Sequence, residues 1–414
     1  MSEISLKDTF VAIKTLANLP NVPVGTRLGI NDLIADAEPT IAHLSTKESI
    51  AFQAPFQPVT GMRLPNTPYV ITAPLTKTLL STLFHCEKEI WPAPKRRMRP
   101  AVAKFVMLAG LNEEQARAML RHVRKEVEAI MHRINNPHII EGYDSGEIVG
   151  ADGKPLGGFL IYEDMDCDFL HLASMLGYRF PLRLARRLAW QACDGCAYAH
   201  DPNVRLIHRD IKPANILIAF GAGKREGDAN TGDVAGSHAG GGTIENAHCK
   251  VADFGAVKMT DTDMLDAMAT QHTIPGTLGY MPPEQMHGEF STAGDVYSLG
   301  ATLYHVLSGK MPFDTPAGSP TTRQLFSLLQ KGEMPQPLKS RPEAEYLPLE
   351  FINIIDEAMM LKNPKDRQTM RECAHRLEDL ILPRDPEAAL MQTILFHDSN
   401  MPVGADSLDS KSEI

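Results

Sequence analysis

The sequence predicts an α+β fold in which a small, strand-rich first lobe is followed by a larger, mainly helical second lobe, with a cleft between them. Two observations predict this plan. Between residues 68 and 165, runs of β-branched and aromatic residues alternate with polar ones and are separated by turn residues, as in a small antiparallel sheet. From Asp168 onward, apolar residues recur mostly at three- and four-residue steps, which indicates helices.

The first lobe is predicted to hold five strands and one helix. The strands are expected at residues 69–75, 81–87, 101–107, 139–143 and 158–162. The helix is expected over residues 113–134, where one face carries Leu120, Val123, Val127, Ile130 and Ile134. Asn136-Pro137 then ends it, because these residues favour a turn.

Three further segments complete the predicted organisation. Residues 1–67 are expected to form a partly disordered N-terminal extension, and residues 385–414 a C-terminal tail. Within the second lobe, 166–384, strand-like pieces at 215–219 and 250–252 flank residues 221–247, which are rich in Gly, Ala, Asp and Asn. Two short strands and a turn need only roughly 12 to 15 residues, so 221–247 is predicted to be an inserted, mobile loop.

Composition excludes several classes of protein. The chain has 41 Lys and Arg against 51 Asp and Glu, and a formal net charge of −10 does not favour a broad nucleic-acid or anionic-membrane surface. No apolar run approaches the roughly 20 residues that span a bilayer, and no secretory signal is recognised. Six cysteines do not make a disulfide scaffold, so a cytoplasmic or nuclear location is expected.

A C-x-x-C motif, Cys193 to Cys196, requires an interpretation. Redox-active pairs usually open a helix that follows a strand, where the helix dipole lowers the thiol pKa. Here the pair falls well inside a helical pattern that includes Leu188, Ala192 and Ala199. Buried packing is therefore the favoured interpretation.

Five motifs follow one another in order in the second lobe. They are I-H-R-D-I-K-P-A-N at 207–215, Asp253-Phe254-Gly255, G-T-L-G-Y-M-P-P-E at 276–284, D-V-Y-S-L-G at 295–300, and Arg367. In this order and spacing they resemble the landmarks of the eukaryotic-type serine/threonine protein kinases. The resemblance covers residues 68–384 and implies the bilobal protein-kinase fold, with an N-lobe at 68–165 and a C-lobe at 166–384.

The resemblance implies a phosphoryl-transfer site that uses ATP and Mg²⁺. Asp210 would accept or orient the proton of the substrate hydroxyl, and Lys212 would lie near the transferring phosphate. Asn215 and Asp253 supply hard oxygen ligands of the kind that Mg²⁺ prefers. Protein substrates are the implied partners.

The resemblance also implies structural roles for residues around the site. Lys212 and Thr277 match the serine/threonine rather than the tyrosine class. Glu284 and Arg367 would form a buried ion pair, which is costly to break from one side. His208, Arg209 and Asp295 would support the catalytic loop.

A lysine of the first lobe should contact the phosphates, and two candidates exist. Residues 11–14 read V-A-I-K, but no two strands fit before them, so Lys14 is assigned to an amphipathic helix. Val102-Ala103-Lys104 follows two predicted strands and precedes a helix, so Lys104 is the candidate. Its acidic partner is predicted to be Glu126, with Glu128 as the alternative.

The glycine-rich loop of the family is altered. The pattern L-G-x-G-x-F-G-x-V aligns with residues 75–83, where Leu75 and Leu83 keep the apolar, nucleotide-contacting positions. The three glycines are replaced by Thr76, Thr78 and Ser81. Glycine allows close backbone approach to phosphate, so fewer amide contacts are expected, and the nucleotide affinity is expected to fall by about tenfold or more. Lys77 is either a partial substitute or an exposed lysine.

The adenine-binding segment is expected at the junction of the lobes. By alignment, Tyr162 is the gatekeeper, Glu163 and Met165 offer backbone hydrogen bonds to adenine, and Asp168 reaches the ribose.

The sequence indicates less about regulation and substrate preference than about the catalytic residues. Arg209 precedes the catalytic aspartate, an arrangement that resembles kinases in which this arginine binds an activation-loop phosphate. Thr273, four residues before Thr277, is the predicted phosphosite, and an upstream kinase would be the partner that modifies it. Ala214 stands where kinases with a basic substrate preference often have glutamate.

Two functional classes follow from these residues. The first is an active ATP- and Mg²⁺-dependent kinase, favoured by Lys104, Asp210, Asn215 and Asp253. The alternative is a weakly active or inactive pseudokinase that acts as a binding scaffold, which the missing glycines motivate.

Overall fold

The computed structural model of the chain describes residues 58–77, 81–91, 97–108, 134–149, 155–222, 242–254 and 278–382. The predicted helix at 113–134, except for its last residue, and the extension up to residue 57 and the tail lie outside these residues. Within them, the predicted two-lobed α+β plan is confirmed, with an antiparallel sheet in the first lobe and mainly helices in the second.

The N-lobe is a five-stranded antiparallel sheet with strand order β1-β2-β3-β5-β4. Its strands are β1 (Tyr69–Lys77), β2 (Ser81–Trp91), β3 (Arg97–Met107), β4 (Gly142–Val149) and β5 (Pro155–Glu163). The side chains of β3 alternate between the two faces, as the period of a strand requires. Ala101, Ala103 and Phe105 pack in the core of one face, and Val102, Lys104 and Val106 lie on the other.

Residues before β1 already belong to the packing of this lobe. Leu64 is fully buried beside Tyr69 and Ile71 in the core of the sheet. Gly61 N donates to Ile71 O at 2.8 Å, and Leu64 N donates to Tyr69 O at 2.9 Å. The segment just upstream of the predicted boundary at residue 68 therefore folds back on β1.

The strand predicted at 139–143 is displaced, because β4 runs over Gly142–Val149. Ile139 and Ile140 are buried, but they pair with Val251 of the other lobe: Ile140 N donates to Val251 O at 2.9 Å. Their apolar signal comes from burial at this junction. The sequence pattern of β4 is less typical of a strand because it contains Gly146. This glycine lies under the Phe159 ring, where an added Cβ would come within 2.5 Å of a ring atom.

The C-lobe begins with a short strand and continues mainly as helices. Its elements are β6 (Cys167–Asp168), α1 (Phe169–Met175), α2 (Leu182–Ala199), β7 (Ile216–Ala222), β8 (Gly242–Val251), α3 (Thr292–Ser308), α4 (Thr322–Gln330), α5 (Leu349–Asn353), a π-helical segment (Ile354–Met359) and α6 (Met370–Glu378). The core packs around α2 and α3. None of the helices that the structure describes combines the length and the apolar character needed to cross a bilayer.

The prediction of a mobile loop over all of 221–247 is wrong for its two ends. β7 extends to Ala222 and pairs with β8, which begins at Gly242. Ile244 and Ala247 are buried in the C-lobe core. The local composition hid this strand, because its burial depends on α2 rather than on its own sequence pattern; residues 223–241 lie outside the described residues.

Side chains of α2 satisfy the outer edge of β8. Arg187 donates to the carbonyl oxygens of Glu245 and Ala247, the latter at 2.8 Å. Gln191 Oε1 accepts from Cys249 N at 2.9 Å. An exposed strand edge is a site for unwanted pairing, so these contacts both close the edge and hold β8 on the helix.

The C-x-x-C motif is part of the core, as its helical context predicts. Cys193 and Cys196 are free and buried, and burial raises the pKa of both thiols well above the ordinary value. The residues between them explain the motif. Asp194 accepts from Asn136 Nδ2 at 2.9 Å and bonds His138 Nδ1 at 2.8 Å, and Gly195 lets the His138 carbonyl approach the helix.

The close approach at Gly195 leads to a stability prediction. An alanine Cβ there would lie 2.6 Å from His138 O, which is backbone and yields little. We expect Gly195→Ala to lower the free energy of unfolding by about 1–3 kcal/mol, measured by chemical denaturation.

Gly294 in α3 is the matched control. An added Cβ there meets nothing closer than 3.5 Å, so Gly294→Ala should be neutral or stabilising, by up to about 1 kcal/mol, from helix propensity. Equal effects of the two substitutions would contradict the close-contact explanation.

Candidate active site

The loop that carries the H-R-D motif is held by a buried carboxylate on α3. Asp295, 2% exposed, accepts from His208 N at 2.7 Å and from Arg209 N at 2.8 Å. It also accepts from His200 Nε2 at 2.8 Å. Arg209 has a left-handed φ of 67°, a conformation that costs about 1–3 kcal/mol in a non-glycine residue. The bonds to Asp295 hold the backbone in this shape.

His208 connects this loop to the segment that precedes Asp253. Asp210 N donates to His208 Nδ1 at 3.3 Å, so the ring proton is on Nε2, which donates to Ala252 O at 2.8 Å. The ring also packs against Phe254, with 4.8 Å between centroids. The two motifs are therefore joined through one buried imidazole.

Asp210, Lys212 and Asn215 form a hydrogen-bonded group. Lys212 Nζ donates to Asp210 Oδ2 at 2.9 Å. Asn215 Nδ2 donates to the Asp210 carbonyl at 2.8 Å and to Oδ2 at 3.3 Å. Lys212 and Asn215 thus both bond Oδ2 of Asp210 and fix the orientation of its carboxylate. The other oxygen, Oδ1, is then the one that a substrate group can contact.

Lys104 reaches across the cleft to Asp253. On β3 it stands opposite Leu83 of β2 and Leu160 of β5, on the face that carries Val102 and Val106. Its Nζ lies 2.5 Å from Asp253 Oδ1. Burial alone would raise the pKa of Asp253, but the charge and hydrogen bond of Lys104, aided by Lys212, hold it below its ordinary value. This carboxylate is therefore an anion.

Asp253 and Asn215 are linked through the backbone. Ala252 N donates to Asn215 O at 2.8 Å, and Asp253, the next residue, has a left-handed φ of 68°. The side chains of Asn215 and Asp253 thus start from neighbouring points, just before β7 and just after β8.

An apolar cluster lies between the sheet and β7. Its members are Val106, Ile140, Leu160, Tyr162 and Ala252, with Ile134, Met165 and Leu217 packed against them. Such a set suits the flat face of a base. The sequence analysis did not identify Leu217. Its position could have indicated it, because it is an apolar residue on a short predicted strand, two residues after Asn215.

The segment after β5 places the predicted hinge residues beside this cluster. Tyr162 is buried on β5, opposite Val102 of β3. The Glu163 amide donates to Glu141 O at 3.0 Å. Asp168 caps α1, where its Oδ1 accepts from His171 N at 2.8 Å.

The strands on either side of the β1–β2 turn are paired with each other. The strand register pairs Thr76 with Leu83 and Lys77 with Thr82, and β2 resumes at Ser81. The β1–β2 ladder therefore includes Thr76, and Ser81 begins β2, where it pairs with Val106 of β3. Leu75 and Leu83 are half-buried on either side, and Thr78 lies outside the described residues.

Arg367 and Glu284 form a bidentate ion pair in the C-lobe. Nη1 donates to Oε1 at 2.5 Å and Nη2 to Oε2 at 2.9 Å. The arginine also donates to the carbonyls of Leu361 and Ala293, so its buried charge is well compensated. Gln285, next to Glu284, donates from Nε2 to Arg209 O at 3.2 Å. The pair thus stabilises a segment that contacts the catalytic loop.

Several predicted residues lie outside the described part of the chain. These are Glu126 and its alternative Glu128, Gly255, the predicted phosphosite Thr273, Thr277, and the rejected Lys14. Arg209 is described, and its guanidinium lies over the Phe290 ring at 5.1 Å.

The family model described as "Protein kinase domain" matches residues 95–377. A probable serine/threonine-protein kinase, pknA2, of Bifidobacterium longum is 30% identical over 229 residues, 55% of this chain and 25% of that protein. The serine/threonine-protein kinase pkn3 of Myxococcus xanthus is 31% identical over 276 residues, 66% and 43% of the two chains. PknB of Mycolicibacterium smegmatis is 29% identical over 306 residues, which are 72% of this chain and 41% of that protein. The chain thus spans less than half the length of these relatives.

The buried ion pair predicts that removing one partner destabilises the fold more than removing both. Arg367→Met leaves Glu284 buried without its counter-charge, so we expect the free energy of unfolding to fall by about 3–5 kcal/mol. The double variant Arg367→Met/Glu284→Met should recover much of this loss, because neither charge is then left alone. Chemical denaturation of the two variants measures both effects.

Arg376 and Glu350 provide the control. Their closest atoms are also 2.5 Å apart, but the side chains are 29% and 53% exposed. Arg376→Met should cost less than about 1 kcal/mol. A loss at Arg367 as small as that at Arg376 would contradict the predicted cost of burial.

Proposed function

We propose that this chain, which belongs to the protein kinase family, transfers the γ-phosphate of ATP to serine or threonine hydroxyls of protein substrates with the help of Mg²⁺. The observation that carries the proposal is the joint position of Lys104, Asp210, Asn215 and Asp253 in one cleft. Lys104 and Asp253 are 149 residues apart in the chain, yet their side chains touch.

The described residues fit Mg²⁺ and a nucleotide. They contain no group of three or more His, Cys, Asp or Glu side chains that could hold a metal by themselves. Asn215 and the ionised Asp253 offer two oxygen ligands, and Mg²⁺ characteristically combines one or two protein ligands with phosphate oxygens. The apolar cluster around Leu217 and Met165 would receive the base. Bound Mg-ATP would supply the transferable phosphoryl group.

The chain's own residues would position the acceptor and neutralise charge. We assign the substrate hydroxyl to Asp210 Oδ1, because Oδ2 already accepts from Lys212 and Asn215. Asp210 would take the hydroxyl proton as the oxygen attacks. The Lys212 ammonium, 2.9 Å from Asp210, would oppose the negative charge of the phosphoryl group in flight.

Lys104 would contact the nucleotide phosphates and keep Asp253 oriented as a metal ligand. The three glycine positions of the family pattern carry Thr76, Thr78 and Ser81, and Thr76 is paired with Leu83, so we expect fewer backbone amides to contact phosphate. This feature supports a reduced ATP affinity. It is also the one observation that favours the second candidate, a weakly active or inactive scaffold.

Partners and location follow from the same reasoning. Protein substrates and an activating upstream kinase are the proposed partners. All six cysteines are free, which fits a reducing compartment, and we propose the cytoplasm or the nucleus.

The proposal predicts the effect of neutralising Asp210. Asp210→Asn keeps the size of the side chain but removes the proton acceptor, so phosphate transfer from labelled ATP to a generic protein substrate should fall about 10²–10⁴-fold. Asp379→Asn, an exposed aspartate after α6, should transfer at the parent rate. No transfer by the parent at high ATP, with no rise of its melting temperature on adding Mg-ATP, would instead support the scaffold.

Activation by phosphorylation gives a separate prediction. If a phosphate on Thr273 binds the Arg209 guanidinium, treatment with an activating kinase should raise the activity of the parent but not that of Thr273→Ala. Arg209→Met should lose the same response while it still accepts phosphate at Thr273, which mass spectrometry can verify. Equal activity of treated parent and treated Thr273→Ala would exclude this role for Thr273.

A further inference from the structure

The segment that joins the two lobes is unusually acidic. Residues 163–168 read Glu-Asp-Met-Asp-Cys-Asp, and we call them the acidic linker. A run of this kind is commonly a solvated surface. Here each of its four carboxylates instead contacts a group on a different part of the fold.

Two of the carboxylates contact the N-lobe. Glu163 Oε1 accepts from the backbone of Glu141, just before β4, at 2.7 Å. Asp164 Oδ2 lies 3.5 Å from His85 Nδ1 on β2. His85 stands opposite Val102, so this contact lies on the same sheet face as Lys104.

Three contacts hold the acidic linker to the C-lobe. Asp166 Oδ2 accepts from Phe220 N of β7 at 2.6 Å, and Asp168 caps α1. Glu163 Oε1 also accepts from Lys250 Nζ of β8 at 2.6 Å. One oxygen of Glu163 therefore joins the backbone of the N-lobe to a lysine of the C-lobe.

The Lys250–Glu163 pair is positioned to affect nucleotide binding without touching the nucleotide site directly. Lys250 stands opposite Leu217, a member of the apolar cluster, and is three residues before Asp253. Its partner is next to Tyr162, another member of that cluster. The pair thus lies beside two members of the apolar cluster, Leu217 and Tyr162, and near Asp253 in the chain.

The pair is also shielded enough to matter energetically. The side chains of Lys250 and Glu163 are 14% and 15% exposed. Ion pairs on an open surface contribute little, whereas removing one member of a shielded, hydrogen-bonded pair leaves the other charge without compensation. Loss of Lys250 should therefore displace Glu163 and the backbone that follows it.

We propose that Lys250 is a positioning residue for ATP: through Glu163 it fixes the acidic linker so that the backbone of Glu163 and Met165 is held ready for adenine. This inference rests on the proposed function and deepens it, because it assigns nucleotide affinity to a contact behind the site. Because the glycine positions of the β1–β2 hairpin carry Thr76, Thr78 and Ser81, we expect affinity to depend more strongly on a preorganised linker.

The test compares nucleotide binding with turnover in the full chain. We expect Lys250→Met to weaken binding of a fluorescent ATP analogue with Mg²⁺, and to raise KM for ATP, by about tenfold, equivalent to about 1.4 kcal/mol. At saturating ATP, kcat should stay within about twofold of the parent, because Lys250 contacts neither the phosphates nor Asp210. Lys250→Arg should restore affinity, since arginine can still pair with Glu163.

A second readout reports on the linker itself. Amide hydrogen exchange across residues 163–168 should be faster in Lys250→Met than in the parent, in the absence of nucleotide. Lys339→Met is the matched control: its pair with Glu357 is 3.6 Å long and the side chains are 52% and 56% exposed. It should alter neither affinity nor exchange.

The outcomes separate this inference from the proposed function. Parent-like ATP affinity in Lys250→Met, or equal losses in Lys250→Met and Lys250→Arg, overturns the positioning role while transfer by the parent still supports a kinase. Binding without transfer by the parent, weakened in Lys250→Met, overturns catalysis but supports the positioning role. If the parent binds no Mg-ATP, both proposals fail.

Discussion

The catalytic loop depends on one buried carboxylate. Asp295 accepts from two consecutive backbone amides, those of His208 and Arg209, and from the His200 ring. A buried anion is stable only when it is surrounded by donors, and these three groups supply them. Asp295 lies in the first turn of α3, whose dipole also favours negative charge. The left-handed Arg209 is thereby maintained, and Asp210 is presented to the cleft in a single orientation.

The lobes are connected by backbone and by charge. His138 O accepts from Val251 N at 2.8 Å, and Ile140 N returns a hydrogen bond to Val251, so the strand that leads to Asp253 is joined to the loop before β4. That loop is in turn anchored to α2 by Asp194. The Lys104–Asp253 contact then spans the cleft itself. Within the described residues these contacts join the two lobes, and the acidic linker adds carboxylate contacts to both sides.

Two elements depart from the simplest form of this fold, and they concern different ends of the site. The β1–β2 hairpin keeps its strand pairing through Thr76, at a position where the family pattern has glycine. The β7–β8 hairpin extends beyond the catalytic core and is secured by Arg187 and Gln191 of α2. The second leaves Asn215 and Asp253 adjacent, because Ala252 N donates to Asn215 O where the two strands meet.

The sequence by itself predicted the two-lobed plan, the sheet and the ordered motifs that contain Asp210, Asn215 and Asp253, because periodicity and short motifs are local properties. It misplaced β4 and overlooked the buried start of β8, where burial comes from distant partners. Only the tertiary structure decided that Lys104 meets Asp253, that Leu217 joins the apolar cluster, and that Lys250 pairs with Glu163. The physical reason is that such contacts bring together residues far apart in the chain, and their energy comes from shielding and packing that no single segment encodes.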